Sequence, residues 1–218
     1  MKIVEPKVDL IQIMGTEDTI VDAARVSFSK RAKDYSPEKN IKLINYLAKH
    51  NHWTPFSHCM ATFQIKAPIF VARQLMRHTV GLTVNETSRR YVDEEPEFFL
   101  PQVWRKRAEN VKQGSSNEPA NVDPRNVQLG MGWAMHQYTG LLEAGVAPEQ
   151  ARMVLPQNMM TEWWWTGSLA AWARVFNLRL DPHTQKETQD VVQMAYDQLL
   201  PCFPNALLAL VKNNNDNS

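Results

Sequence analysis

Between Arg77 and Tyr91 the chain reads Arg-His-Thr-Val-Gly-Leu-Thr-Val-Asn-Glu-Thr-Ser-Arg-Arg-Tyr. Three arginines, a histidine, an acid and several amide or hydroxyl groups thus fall within one short run. A guanidinium is a planar fork of donors matched to phosphate, while Asn85, Glu86 and Ser88 supply directional hydrogen bonds suited to a heterocycle or ribose. The run predicts a site for an anion joined to a ring. No G-x-G-x-x-G or Walker A pattern occurs, so phosphate binding falls to side chains. Ser88 lacks a G-x-S-x-G elbow and has arginines beside it in place of a base, which favours recognition over nucleophilic attack. His52 and His58, the tightest histidine pair, have no third ligand at metal spacing, and no metal is expected. Arg152 and Arg179 each adjoin an apolar stretch (Met153-Val154-Leu155 and Phe176-Asn177-Leu178), so partial burial beside an anion is expected, against the alternative of an ordinary ion pair. Trp163-Trp164-Trp165 and Trp172 lie between them. At helical spacing these read as core or subunit interface.

These groups need elements to position them. Val8 to Ile13 predicts a strand, and Thr16 or Asp18 caps a following helix carrying Ile20, Ala23 and Ala24. Ser36-Pro37-Glu38 starts a second helix through Ile41, Ile44, Leu47 and Ala48. From Cys59 to Ala67, Ala61, Phe63, Ile65 and Ala67 alternate with Thr62, Gln64 and Lys66, the period of a strand. Pro68 ends it and opens a helix through Leu75 that delivers Arg73, Gln74, Arg77 and His78 near its carboxyl end. Val92 to Asp123 reads as a loop-rich excursion with short helical pieces, away from the chemistry. From Asn126 onward the pattern is helical, with a stop at Gly145, a restart at Ala147-Pro148-Glu149 and an interruption at Pro156. A last helix is expected from Asp181-Pro182, with Thr188, Val191, Val192 and Ala195 on one stripe. The class is α+β, helix-rich with a minority of strands.

A length of 218 residues suits one compact domain. A net charge of +1 gives no global field for nucleic acid or membrane, so an anion must be held by clustered arginines. Cys59 and Cys202 stand apart, as two reduced thiols in a cytoplasmic protein would. Asn213 to Ser218 reads as a disordered polar tail after a single domain at 1–212.

The motifs resemble those of the flavin-dependent thymidylate synthases, the ThyX family, whose signature runs Arg-His-Arg and, beyond a short spacer, Asn-Glu-x-Ser-x-Arg-Tyr. Arg77-His78 and Asn85 to Tyr91 match it. Further family-like blocks are Ala23 to Ser27, His52 to His58, Ala67 to Gln74, Ala151 to Pro156 and Asn177 to His183, all in family order. The resemblance implies a ThyX-like fold with a small, mostly antiparallel sheet, assembled as a homotetramer with shared active sites. It implies conversion of dUMP to dTMP, with 5,10-methylenetetrahydrofolate as carbon donor, FAD as redox cofactor and NADPH as reductant. By position it gives dUMP the residues Gln74, Arg77, Glu86, Ser88, Arg89 and Arg90 from one subunit, with Arg152 and Arg179 from another. FAD would contact Ser27, His52, Thr54, Arg77, His78, Thr79, Asn85, Glu86, Ser168, Arg174 and His183. Arg179 takes the catalytic task of stabilising an enolate-like uracil. Thr79 replaces the second signature arginine, one residue is added before Asn85, Arg89 stands where a small residue is common, and Ser57 where an acid is frequent. The alternatives are a relative that modifies another pyrimidine nucleotide and a catalytically silent nucleotide- or RNA-binding protein.

Overall fold

The structure, a computed structural model, describes residues 1–90, 95–109 and 114–211. Tyr91, Val92 and the tail expected at 213–218 lie outside the described residues. In chain order the elements are β1 (Lys2–Ile3), β2 (Lys7–Met14), α1 (Glu17–Arg25), α2 (Pro37–Lys49), β3 (Met60–Pro68), α3 (Ile69–Leu75), β4 (Leu82–Glu86) and β5 (Glu97–Phe98). There follow β6 (Arg105–Arg107), β7 (Ser115–Pro119), α4 (Pro124–Glu143), α5 (Pro148–Ala151), β8 (Met160–Ser168), α6 (Leu169–Arg179), α7 (Lys186–Leu199) and α8 (Pro204–Leu210). The central sheet has the order β2-β3-β8-β4 with antiparallel neighbours throughout. β1 and β5 form a small parallel pair, and β6 and β7 an antiparallel one. This is an α+β fold, rich in helix around a small, mostly antiparallel sheet.

Local chemistry explains the boundaries. Gly15 turns the chain from β2 into α1 at φ +85°, and a Cβ there would lie 2.8 Å from Cys59 Sγ. The turn therefore needs glycine both for its left-handed backbone and for the close approach. The Thr16 backbone N–H is satisfied by the Thr19 hydroxyl at 3.0 Å, and Glu17 and Asp18 place acid in the first turn, where the helix dipole favours it. Asp123 accepts from the Arg125 backbone N–H at 3.0 Å to cap α4, with Pro124 in the first turn.

β3 and β8 pair along their full length, from Met60 opposite Ser168 to Pro68 opposite Met160. The strands alternate as a half-buried pair must. Ala61, Phe63 and Ile65 point inward beside Gly167, Trp165 and Trp163, while Thr62 and Thr166 bond to each other on the outer face at 2.9 Å. Beneath the sheet, Trp172 makes edge contacts with Phe63 and Trp165 at centroid distances of 4.8 and 4.9 Å and stacks on Phe176. Its indole N–H donates to the Ala61 carbonyl at 3.2 Å, so the polar end of a buried ring is satisfied. α7 covers the free edge of β2, where Gln198 accepts from the Leu10 backbone N–H and donates to the Val8 carbonyl, both at 2.8 Å.

Several expectations need correction. Trp163 to Trp165 are a central strand, not a helix: Trp163 and Trp165 are buried and Trp164 is half exposed. Pro156 does not interrupt a helix, because the chain has already left α5 through a short turn at Arg152–Val154 and next forms β8. The described part of the Val92–Asp123 excursion holds three short strands and no helical piece. The last long helix starts at Lys186, since Asp181 to Thr184 form a turn tied by the Thr184 N–H to the Asp181 carbonyl at 2.9 Å. Residue Ile11 sits at the bulge of β2, exposed, which is why alternation through it is ambiguous. Among the described residues no helix is long and apolar enough to cross a membrane.

Candidate active site

Two strand–helix units build the site. β3 runs into α3 and β8 into α6 without a linker. Because the strands are antiparallel, the helices start at opposite ends of the pair, and their carboxyl ends meet beneath it. There Arg179, the last residue of α6, donates from Nε to His78 Nε2 at 2.9 Å and from Nη2 to the Gln74 carbonyl at 3.3 Å. A helix carboxyl end exposes unpaired carbonyls and a partial negative charge, so it favours a guanidinium.

The charges that act on His78 are of one sign. Burial, then the positive charges of Arg179 and Arg174, hold His78 below its ordinary pKa. The imidazole is therefore neutral at pH 7, and with Nε2 accepting from Arg179 its proton sits on Nδ1. Burial, then the neighbouring Arg77, lowers the pKa of Arg179 as well, and a guanidinium stays charged in a protein. Neither Arg77 nor Arg179 joins an ion pair among the described residues, in contrast to Arg31, Arg90, Arg105 and Arg125. An open cleft of about 670 Å³ lies against them, lined also by Gln74, Gly114, His183, Gln185 and one carboxylate, Asp181, which is bonded to His183. Two cations that repel one another beside an open cleft, neither of them paired with its one carboxylate, make a receptor for an anion.

The signature turn folds over the same junction. Arg174 donates to the Val80 carbonyl at 2.7 Å, and Leu82 N–H to the Thr79 carbonyl at 3.3 Å. Gly81 has φ +75°, and a Cβ there would lie 3.2 Å from Ala171 Cβ. The exposed Thr79 is the position where the signature has its second arginine. β4 then carries Asn85 beside Trp164 on the outer face and Glu86 beside Trp163 on the other, where Glu86 accepts from the Thr161 hydroxyl at 2.6 Å.

Most of the remaining candidates fall elsewhere in one chain. Arg89 lines a separate cleft with Lys2, Lys66, Glu97 and Glu162. Arg90 pairs with Glu149 at 3.1 Å, and its backbone N–H donates to Ser88 Oγ at 3.3 Å. Arg152 is exposed, which corrects the expectation of partial burial: its neighbours Met153 and Val154 are exposed too, so they shield nothing. Arg179, half-buried, meets that expectation. His52 and Thr54 line a small cleft at the corner of α1 and α2 with Ala23, Ala24 and Trp53, and Ser27 is exposed just past α1. Ser168 caps α6 by accepting from the Ala171 N–H at 3.3 Å, a structural duty in its own right. His183 donates from its backbone to Asp181 Oδ1 at 2.8 Å, and this bond leads those holding the Asp181 carboxyl below its usual range.

Sequence reading missed Gly114 and Gln185 as cleft-lining residues. Gly114 belongs to the excursion set aside as remote from the chemistry, yet a Cβ on it would stand 3.6 Å from the His183 carbonyl oxygen. No local motif marks either residue. Cys59 is buried, and desolvation followed by the charge of Glu17 pushes its thiol up to about 11, so it is no nucleophile at neutral pH.

Residues 9–205 match the family described as "Thymidylate synthase complementing protein". A flavin-dependent thymidylate synthase of Thermosipho africanus (strain TCF52B) is 40% identical over 188 residues, which cover 83% of this chain and 79% of that protein. A counterpart in Thermus thermophilus is 42% identical over 184 residues, covering 83% of this chain and 66% of that one. Among solved structures, the UMP/dUMP methylase PolB from Streptomyces cacaoi bound with 5-Br dUMP is similar with a TM-score of 0.86 and 26% identity, over 98% of this chain and 100% of that chain. The same methylase bound with 5-Br UMP gives a TM-score of 0.85.

Proposed function

This chain belongs to the thymidylate synthase complementing protein family, and from that membership we propose that it is a flavin-dependent thymidylate synthase, methylating dUMP to dTMP. The carbon donor is 5,10-methylenetetrahydrofolate, the cofactor FAD and the reductant NADPH. One observation carries the assignment of the cleft: Arg77 and Arg179 face it beside a neutral His78, without a carboxylate partner among the described residues. A nucleotide monophosphate brings the dianion that this pair lacks, together with a ring that can take the remaining Arg179 donors.

Uracil C5 is a weak nucleophile until electron density is pushed into the ring. Arg179, held at two points by His78 and the Gln74 carbonyl, is positioned to stabilise negative charge on N3 and O4. Gln74, Arg77, Glu86, Ser88, Arg89, Arg90 and Arg152 complete the proposed dUMP set. The chain also fits a flavin. Val26 and Phe28 flank Ser27, and Trp53 stands between His52 and Thr54, all three large side chains well exposed. Exposed ring and aliphatic surface beside hydrogen-bonding groups suits a flat heterocycle with a polar tail. Ser27, His52, Thr54, Arg77, His78, Thr79, Asn85, Glu86, Ser168, Arg174 and His183 would hold it, and reduced flavin supplies a hydride that no side chain can.

The candidates occupy several clefts of one chain, which supports active sites completed between subunits of a homotetramer. Leu129 and Trp133 on α4 are more than 60% exposed, as apolar residues covered by a neighbouring subunit would be in the isolated chain. We place the protein in the cytoplasm as a single catalytic domain over 1–212, where free thiols remain reduced. Near-neutral charge favours small ligands over nucleic acid or a membrane surface.

The deciding assay follows dUMP-dependent NADPH oxidation by FAD-saturated protein, with and without methylenetetrahydrofolate, and identifies the product. Failure to take up flavin or to form dTMP would overturn the assignment. A second reading, methylation of UMP as well, is favoured by the likeness to a UMP/dUMP methylase. Equal product from UMP and dUMP would establish it.

A further inference from the structure

A series of hydrogen bonds connects the β6–β7 excursion to the cleft. Arg105, on β6, donates from Nε to Ser115 Oγ and from Nη2 to Glu187 Oε1, both at 2.7 Å. Glu187 lies in the first turn of α7 and is largely buried, so the pair is shielded from solvent on both sides. The other oxygen, Oε2, accepts from Gln185 Nε2 at 3.1 Å. Gln185 Oε1 in turn accepts from Gln74 Nε2, and Gln74 Oε1 accepts from the hydroxyl of the fully buried Thr188 at 3.2 Å.

The direction of these bonds follows from the charge at one end. An ionised carboxylate can only accept, so Gln185 must turn its NH₂ toward Glu187 and its carbonyl oxygen toward Gln74. Gln74 must then offer its own NH₂ to Gln185 and leave its oxygen on the Thr188 side. Thr188 imposes no direction, because a hydroxyl donates or accepts equally well. Within this series Glu187 thus decides which end of the Gln74 amide is donor and which acceptor. Burial opposes ionisation of Glu187, but bonds from its own backbone amide, Arg105 and Gln185 outweigh it and keep the carboxyl below its usual range.

We propose that the Arg105–Glu187 ion pair is a positioning device that, through Gln185, fixes the donor and acceptor ends of the Gln74 amide where they face the nucleotide. The proposal rests on the reading of the Arg77–Arg179 cleft as the dUMP site. Gln74 touches the ligand, and Glu187, Arg105 and Gln185 act through it. It follows that Arg105, in a region without a motif, contributes to substrate recognition without lining the cleft itself.

Glu187→Gln tests this, because an amide of the same shape accepts either face of Gln185 and the direction of the series is lost. With FAD-saturated protein and calorimetric titration of dUMP, the dissociation constant should rise about fivefold, the worth of one neutral hydrogen bond. In a Gln74→Ala background the same substitution should leave it unchanged, since no amide remains to be turned. Gln185→Met breaks the link while leaving the ion pair intact, and if Glu187→Gln does not fold it should show the same contrast, a loss with Gln74 present and none in the Gln74→Ala background. Equal losses with and without Gln74 would overturn the positioning role and reduce the pair to a structural brace. Wild-type protein that takes up FAD but does not bind dUMP would overturn the reading of the cleft itself, and the proposal with it.

Discussion

Gly167 offers the sharpest test of how the signature turn is held. It lies on β8 directly opposite Leu82, the first residue of β4. A Cβ added there would stand 2.3 Å from Leu82 Cδ2 and 3.0 Å from the Gly81 carbonyl oxygen. The leucine tip can rotate away. The carbonyl cannot do so alone, since it is backbone and accepts from the Ser168 N–H at 3.2 Å. Gly167→Ala must therefore push the Gly81 turn outward and stretch that bond. Overpacking of this kind costs about 1–3 kcal/mol, which for a protein of this size lowers the melting temperature by roughly 3–10 °C. His78, Thr79 and Asn85 sit on the displaced segment, so flavin affinity should fall with stability. Adding Leu82→Ala removes the rotatable part of the clash and should return only a fraction of the loss. The measurements are thermal unfolding by circular dichroism and flavin titration on all three variants. A Gly167→Ala protein that melts within about 1 °C of wild type and binds flavin equally well would refute the argument, because a cost near the overpacking range could not hide in so small a shift.

Other expectations follow from the same junction. His78 is held below its ordinary pKa of 6.5 by burial and then by Arg179 and Arg174. Both states are uncharged above that value, but as pH falls the unfolded chain binds the proton first, so folded stability is lost below about pH 6.5 until the lower folded pKa is reached. In His78→Gln, urea unfolding between about pH 7 and pH 5 should show a shallower acid limb, and an unchanged slope would refute the shift. Arg179→Lys keeps charge but loses the fork that spans His78 and the Gln74 carbonyl. Turnover should drop by about a hundredfold or more, and a variant with near-normal kcat would remove Arg179 from the catalytic task. Thr79→Arg restores the second signature arginine beside the turn held by Arg174, and should tighten flavin binding. Equal affinity would mean that the threonine is no deficit.

Particular residues show what the sequence could and could not reveal. β3 was legible because Thr62, Gln64 and Lys66 separate its inward residues with polar ones. β8 was not, because three tryptophans in succession conceal the period of two: Trp164 faces out, yet its type is that of its buried neighbours. The strands at Glu97–Phe98, Arg105–Arg107 and Ser115–Pro119 are too short and polar to show a pattern. Arg152 misled because apolar neighbours in sequence do not ensure burial. Near the cleft, motif matching pointed to Gln74, Arg77, His78, Arg179 and His183. Gln185 and Gly114 are recognised only through folding, which carries one to the base of α7 and the other across from His183.

The two strand–helix units have a consequence for where this chain can change length. β3 continues into α3 and β8 into α6 with no residue to spare, so a single insertion within either helix would rotate everything beyond it by about 100° and carry Arg179 or His78 out of register. The turn between His78 and Leu82 belongs to neither arm: it is pinned separately, by the bond from Arg174 to Val80 and by the glycine at 81. The added residue of the divergent signature falls before Asn85, on the far side of His78. The chain has absorbed its extra length beyond the rigid arms, so the meeting of His78 with Arg179 survives a change in the motif that surrounds it.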